Sequence, residues 1–441
     1  MIQKTKFKET EIGLIPEDWE VKEAQEYCLK VTDGTHDSPK KVKKGRYLIT
    51  SRHIKNNDID YPNAYFISDK DFEEINKRSV VNKNDVLFSM IGTIGEIYFV
   101  KEEPNYAIKN IGLFKFDEDK LKARWFYYFL KSPYAEEYIF SMSSGSTQQY
   151  MTLNSLRKFP IAFPLNVSEQ SAIAKILSDL DSKIELLQKQ NETLEKIGQA
   201  IFKQWFVDFE FPNAEGKPYK SSGGKMVESE LGEIPQGWSV GKLGDFVDSV
   251  SGCSYTSKGL EKSEKALVTL KSISVNGFTQ EGFKEYTSDY KNKHVVKDGD
   301  IVVAHTDLTQ NRIILGKPAV VRDLGKYKVM IASMDLSIVR PTKLLNRPYL
   351  FYLLSTHMFH SHAQGYSNGT TVIHLSRKAV PEFPFIIPSE EILNNFKEFS
   401  NYLFDKISIN QKSIKSLEKT RDLLLHKLMT GKIRVPLKAS Q

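Results

Sequence analysis

Three sets of side chains in this 441-residue chain are of types that do chemistry. The first is basic. Lys40, Lys41, Lys43, Lys44, Arg46, Arg52 and Lys55 crowd a short stretch beside Asp33-Gly34-Thr35-His36. Charge at this density can neutralise several phosphates and release their counterions, although a merely solvated loop has the same composition. The second set is polar. Ser144-Gly145-Ser146-Thr147-Gln148-Gln149-Tyr150 contains two glutamines, side chains that make bidentate contacts to adenine edges. The third is a group of histidines, His305, His357, His360, His362 and His374, found only in the second half. Their types would suit a metal, but ordinary surface or core histidines read the same way.

Catalytic patterns are missing from the sequence. It has no G-x-x-x-x-G-K-[ST] loop, no G-x-G-x-x-G, no H-E-x-x-H, no C-x-x-C and no Asn-Pro-Pro-aromatic tetrapeptide. Pro16-Glu17 with Glu20-x-Lys22 has a faint likeness to a nuclease carboxylate cluster, but its spacing is cramped. The matching Pro235-Gln236 with Ser239-x-Gly241 lacks every charge. Cys28 and Cys253 do not fall at equivalent positions, so a shared catalytic thiol is not expected. The expectation is no catalytic residue and no metal.

The elements that position these side chains occur twice. EIGLIPEDW (11–19) returns as ELGEIPQGW (230–238), and FPIAFP (159–164) returns as FPFIIP (383–388). Leu194-Glu195-Lys196 returns, in the same order, as Leu417-Glu418-Lys419. The chain is read as a tandem duplication, and two similar halves suit a twofold-symmetric partner such as duplex DNA. Ser367-Asn368-Gly369-Thr370-Thr371 then stands where the glutamine loop stands in the first half, with a different polar set. Two readers of different sequences would look like this, and so would surface loops drifting freely after duplication. Asp85-Val86-Leu87-Phe88-Ser89 and Gly299-Asp300-Ile301-Val302-Val303 predict buried strands, and 125–130 and 349–354 predict amphipathic helices. Each globular part is therefore expected to be α+β.

Residues 168–209 and 389–433 change character. Apolar residues fall at Ile173, Leu177, Leu180, Ile184, Leu187, Leu194 and Ile201, with Asn191 and Gly198 in the same seam. Phe396, Phe399, Leu403, Ile407, Ile414, Leu417, Leu424 and Leu428 form the second stripe, which contains Asn410. This is a coiled-coil-grade pattern, with Ser168 and Ser389 as expected caps and Asn191 and Asn410 as expected setters of register. A rod of about 40 residues spans roughly 60 Å. The sequence by itself does not fix whether the two helices run parallel or antiparallel. The expected domains are 1–167 and 230–388, with a Gly/Ser/Lys-rich linker over 210–229 and a tail over 434–441.

Composition agrees with a globular chain, 40% apolar and 27% charged. Two cysteines, a polar start and no run of membrane-spanning length lead to the expectation of a cytoplasmic protein. The net charge of +7 leans toward an anionic partner without proving one.

Taken together, GSTQQYMTLNSLRKFPIAFPLNVSEQSAI (145–173), IFKQWFVDFEFPN (201–213) and ESELGEIPQGW (228–238) resemble the specificity subunit of type I restriction–modification systems. The resemblance covers essentially the whole chain. It implies two target-recognition domains, each reading one half of a bipartite DNA site, separated by an antiparallel two-helix coiled coil. It further implies two methyltransferase subunits and separate restriction subunits as partners. S-adenosylmethionine and ATP with Mg would be bound by those partners and no cofactor by this chain. The expected DNA-facing residues are Lys40, Lys41, Lys43, Lys44, Arg46, Arg52, Gly92, Thr93, Ser146, Thr147, Gln148, Gln149 and Tyr150 in the first half. In the second half they are Thr309, Gln310, Asn311, Arg312, Asn368, Thr370, Thr371 and His374. There the Gly92-Thr93-Ile94-Gly95 turn is replaced by 305–312, so the second set follows the family pattern less closely. Two rivals remain at this stage: an enzyme that cuts or methylates by itself, and a coiled-coil adaptor without a DNA role.

Overall fold

The structure, a computed structural model, describes residues 5–436 except 56, 144–149, 274–277, 280–281, 308–313, 323–324 and 370–372. The chain divides into two compact units, Met1–Ile184 with Ser416–Gln441, and Glu185–Lys415.

In the first unit the strand Val86–Ser89 is buried at every residue, as its unbroken apolar character requires. It lies between Ile97–Phe99 and Ile111–Lys115, and Lys30–Asp33 completes an antiparallel four-stranded sheet. A second sheet is built on a parallel pair, Arg46–Thr50 beside Tyr106–Lys109, flanked by Tyr65–Ile67. The helix Lys120–Phe129 starts where the Asp119 side chain accepts from the Lys122 amide. It buries Trp125, whose indole N–H donates to the Ala162 carbonyl at 3.0 Å and whose ring meets Trp19 edge-on at 5.5 Å.

The second unit repeats this order. Val247–Ser251, Leu336–Pro341, Ile301–Ala304 and Pro318–Val321 are neighbours in that sequence, with Phe278–Thr279 added at the edge. Lys265–Val268 runs parallel to Val329–Ala332. The repeat extends to single side chains. Asp85 accepts from the Asn82 amide and pairs with Lys115, both at 2.8 Å. Asp300 accepts from the Lys297 amide at 2.9 Å and pairs with Arg340 at 2.5 Å and Arg347 at 3.3 Å. A left-handed residue precedes each aspartate, Asn84 at φ 69° and Gly299 at φ 80°.

Two helices of 40 residues, Val167–Phe206 and Glu390–Met429, each contribute to both units. In the first unit, Ile173 and Leu177 share a core with Leu425, Leu428 and Met429. Arg421 donates to Asp181 there at 2.9 Å. In the second unit, Phe202 and Phe206 pack on Phe396, Tyr349 and Tyr352. Asn410 donates to Asn191 at 2.9 Å. Because 191 meets 410 while 202 meets 396, the helix segments within this unit run antiparallel.

Several expectations are corrected. The first helix is capped by Asn166, whose Oδ1 accepts from the Ser168 and Glu169 amides at 2.9 and 3.3 Å, and not by Ser168. Both helices stop before the expected ends, where Phe209 (φ 61°) and Gly431 (φ 65°) turn left-handed. Beyond Leu187 the buried face of the first helix keeps Gly198 of the expected seam but otherwise moves on by one position, to Glu195 and Phe202. A 3.6-residue helix drifts against a 3.5-residue reading, so Leu194 and Ile201 are only half-buried. Residues 210–229 are packed: Phe211 stacks on Tyr219 at 4.6 Å and on Trp238 at 5.0 Å, and Met226–Val227 pairs with Ile234–Pro235. Aromatics within a Gly/Ser/Lys-rich stretch gave it a surface to bury. The tail is anchored at its start, where Arg434 grips Asp18 and Glu169 and holds the Asp18 carboxyl below its usual range.

Gly198 is required by contact. A Cβ there would lie 1.9 Å from the Tyr352 hydroxyl oxygen, which is buried without a hydrogen-bond partner. Gly to Ala inside a helix ordinarily stabilises by about 1 kcal/mol. Here Gly198→Ala is expected to lower the urea midpoint. Because the Tyr352 ring carbon that bears the hydroxyl would also lie 2.4 Å from the new Cβ, the loss should be smaller in a Tyr352→Leu background than in the wild type. A midpoint raised by Gly198→Ala alone would refute the contact.

Glu195 is buried in the same face, and desolvation, then the charge of Glu192, pushes its carboxyl up to about 8 from an ordinary value of 4.5. The fold therefore binds a proton that the unfolded chain releases. Stability contributed by the neutral acid is present at low pH and lost as pH rises from about 4.5 through about 8. Thermal unfolding should show this loss in the wild type and not in Glu195→Gln. Parallel pH profiles for the two would exclude it.

Candidate nucleic-acid interface

The buried central strand of the first unit delivers a glycine turn to the surface. After Val86–Ser89 the chain passes Met90 and Ile91, then Gly92 (φ 78°) and Gly95 (φ 90°), and returns in Ile97–Phe99. Those positive φ values favour glycine. Ser89 closes the turn from inside: its hydroxyl donates to the Thr93 carbonyl and accepts from the Glu96 amide at 2.9 Å. A Cβ at Gly92 would meet nothing within 4 Å, so this backbone is open to an incoming partner.

Tyr150 is fixed beside that turn. It forms an antiparallel bridge with Ile91, and the Met151 amide donates to the Met90 carbonyl at 2.9 Å. Tyr150 and Ile91 are 57% and 37% exposed, an apolar pair at the surface next to the open glycine. Ile91 was not singled out in the sequence. Its alternation with the buried Met90 at the end of a buried strand is the signal that could have found it. Ser146, Thr147, Gln148 and Gln149 lie outside the described residues, as do Ser144 and Gly145.

The second unit brings together the equivalent segments by its own pairing. Thr306–Asp307 continues the central strand and pairs with Ile373–Leu375, with Thr306 opposite His374 and Asp307 opposite Ile373. Ser367–Asn368 lies on the other side of Ile373–Leu375, with Asn368 opposite His374. Asn368 and His374 are exposed. Asp307 faces inward, where its carboxylate accepts from the Ile314 and Leu315 amides at 2.7 and 3.3 Å and ties down the end of the intervening loop. Thr309, Gln310, Asn311, Arg312, Thr370 and Thr371 lie outside the described residues.

The basic set does not form one loop. The strand Arg46–Thr50 separates Lys40, Lys41, Lys43 and Lys44, all exposed, from Arg52 and Lys55. Arg46 is committed to the fold: it donates to Asp69 at 3.0 Å and to Asn105, and its guanidinium lies 5.5 Å from the Phe72 ring. Arg52, Lys55 and Thr93 instead line a common cavity of about 520 Å³ with His53, Asp60 and Asn63.

The side chains weighed for other chemistry have structural partners. Glu20 pairs with Lys22 at 3.6 Å on a strand bound to Pro160–Pro164. Cys28 is buried, and burial pushes its thiol up. His305 is buried too, and desolvation, then Arg377, lowers it to about 4, so it stays neutral at physiological pH. His362 bonds the Ala379 carbonyl at 2.9 Å. Among the described residues no three His, Cys, Asp or Glu side chains are placed to hold a metal. No described helix is long and apolar enough to cross a membrane.

Two tandem units of mixed helix and strand, each presenting paired loops at the end of its central strand, define a duplicated recognition module. A family profile described as "Type I restriction modification DNA specificity domain" matches the chain twice, at residues 16–196 and 235–419. The chain belongs to that family. It is 30% identical to the type I restriction enzyme MjaIX specificity subunit of Methanocaldococcus jannaschii, over 98% of this chain and 97% of the relative. The MjaVIII specificity subunit of the same organism is 28% identical, over 97% and 96% of the two chains. The crystal structure of the type I restriction–modification S subunit from M. genitalium is alike in fold, with a TM-score of 0.54 and 16% identity over 93% of this chain and 96% of that one.

Proposed function

We propose that this chain reads DNA for a type I restriction–modification complex, one unit per half of a bipartite, asymmetric site. The observation that carries the reading is the double family match, one repeat for each sheet system. Paired loops of different polar chemistry at equivalent strand ends support unequal half-sites: Thr93 and Tyr150 in one unit, Asn368 and His374 in the other. Exposed lysines 40, 41, 43 and 44 would position the duplex through phosphates, while loop side chains read base edges. The two long helices would act as a coiled coil that fixes the spacing of the half-sites, with Asn191 and Asn410 setting register. They would also dock two methyltransferase subunits, and restriction subunits would join the full complex. The chain itself is read as non-catalytic and cytoplasmic, with S-adenosylmethionine and ATP–Mg bound by those partners. The pairing of Glu20 with Lys22 and the burial of Cys28 favour this over an enzyme in its own right.

Co-expression with the methyltransferase subunit, followed by single-molecule sequencing for methyladenine, should yield one two-part motif with a fixed gap. Removing one heptad from each long helix should change the gap or abolish assembly without changing either half of the motif. A stable complex that leaves no motif would sink the DNA-reading assignment, and an unchanged gap with continued methylation would sink the ruler.

A further inference from the structure

One short turn is built identically in both units. In the first, the parallel strand Arg46–Thr50 runs into a 3₁₀ turn, Ser51–His53. In the second, the parallel strand Lys265–Val268 runs into another, Leu270–Ser272. Thr50 and Thr269 precede the turns at φ −122°, ψ 165° and φ −122°, ψ 177°. Ile54 and Ile273 follow at φ −92°, ψ 118° and φ −83°, ψ 111°. The last turn residue closes each one from its side chain. His53 Nδ1 accepts from the Thr50 amide at 3.0 Å, and Ser272 Oγ accepts from the Thr269 amide at 3.2 Å.

The turns differ in the residues that surround their centres: Ser51 and His53 in one stand where Leu270 and Ser272 stand in the other. Between them sits one exposed basic residue in each, Arg52 and Lys271. Among the described residues the Arg52 head has one neighbour at hydrogen-bond distance, the ring of His53. His53 accepts through Nδ1, so the neutral ring carries its proton on Nε2, and the Arg52 Nε lying 3.1 Å from Nε2 faces a donor rather than an acceptor. Burial, then the Arg52 charge, lowers the His53 imidazole from its ordinary range. Arg52 also shares its cavity with Thr93 of the open glycine turn, so it lies on the proposed DNA-facing side.

We propose that Arg52 and Lys271 are matched phosphate anchors, one for each half-site. The proposal rests on the DNA-reading function above and assigns Lys271 to the interface. Either cation neutralises a phosphate, whereas at a base edge the planar fork of arginine and the point charge of lysine present different donor geometries. Two units that read different bases have no reason to keep the same base contact, but both must grip the same sugar–phosphate backbone.

The test uses the complex with its methyltransferase subunits and a duplex carrying the motif found by methyladenine sequencing. Affinity is measured against salt for Arg52→Gln, Lys271→Gln and the double variant. Each single change should reduce the slope of log affinity against log salt by about 1, and the double change by about 2. Affinity should fall by the same factor on the target and on every singly substituted duplex, and the methylated motif should stay unchanged. Arg52→Lys should restore the slope. Unchanged melting temperatures are expected, because the threonine, histidine and serine side chains hold the turns. Relaxation of one base in the motif would make the residue a base reader and overturn the proposal, as would a full slope in the Gln variants. A wild-type complex with no preference among duplexes would instead overturn the DNA-reading function itself.

Discussion

The apolar stripe on each 40-residue helix has to be buried, and neither unit buries a whole one. The first unit takes the start of one helix and the end of the other, so that Ile173 and Leu177 lie with Leu425 and Leu428. The second takes the remaining parts, with Phe202 against Phe396. Each fully buried side chain of this size contributes about 1.5–3 kcal/mol. A core completed in this way makes the last segment of the chain part of the first unit's fold. Arg434 reinforces that closure by bonding both Asp18 and Glu169. Within each unit that packing decides which residues of the two helices meet, and in the second unit Asn410 also donates to Asn191.

The same economy appears at the polar centres. Asp85 and Asp300 are buried charges, which are tolerated only when paired and hydrogen-bonded. Each satisfies a turn amide and a cation on the neighbouring strand or helix, which fixes the strand that carries the exposed turn. Arg46 belongs with these groups. It looks like one member of a basic patch in the sequence, yet it is held by Asp69 and Asn105. Charge alone does not distinguish a solvated cation from one built into the fold; the partner does, and that partner lies far along the chain.

Legibility in the sequence followed this division between local and distant causes. The repeats, the buried strands and the long helices are periodic or self-similar, so they were readable from adjacent residues. The first helix cap was missed because Asn166 and Ser168 are both good caps, and only backbone geometry chooses between them. The need for glycine at 198 depends on Tyr352, more than 150 residues away in sequence. Residues 210–229 looked like a linker because glycine, serine and lysine outweighed Phe211 and Tyr219, whose partner Trp238 lies outside the segment. Of the candidate interface, the glycine turn was legible from its own residues. The pairing of Tyr150 with Ile91, and of His374 with Thr306 and Asn368, needed the fold.

That pairing bears on how one scaffold can carry two different readers. In both units the variable segments leave and rejoin the sheet through bonds that the framework supplies. Ser89 closes the turn in the first unit, and Asp307 receives the Ile314 and Leu315 amides in the second. In the first unit Met90 and Ile94 pack on the core while Ile91, Gly92 and Thr93 between them are exposed, so substitution at those exposed positions leaves its apolar contacts intact. Arg52 and Lys271 sit differently, on rigid turns at the ends of the parallel strands, where changing the backbone would disturb the sheet. Divergence is cheap where the structure closes locally and costly where it does not. The loops are free to differ between half-sites while the contacts common to any duplex stay with the framework.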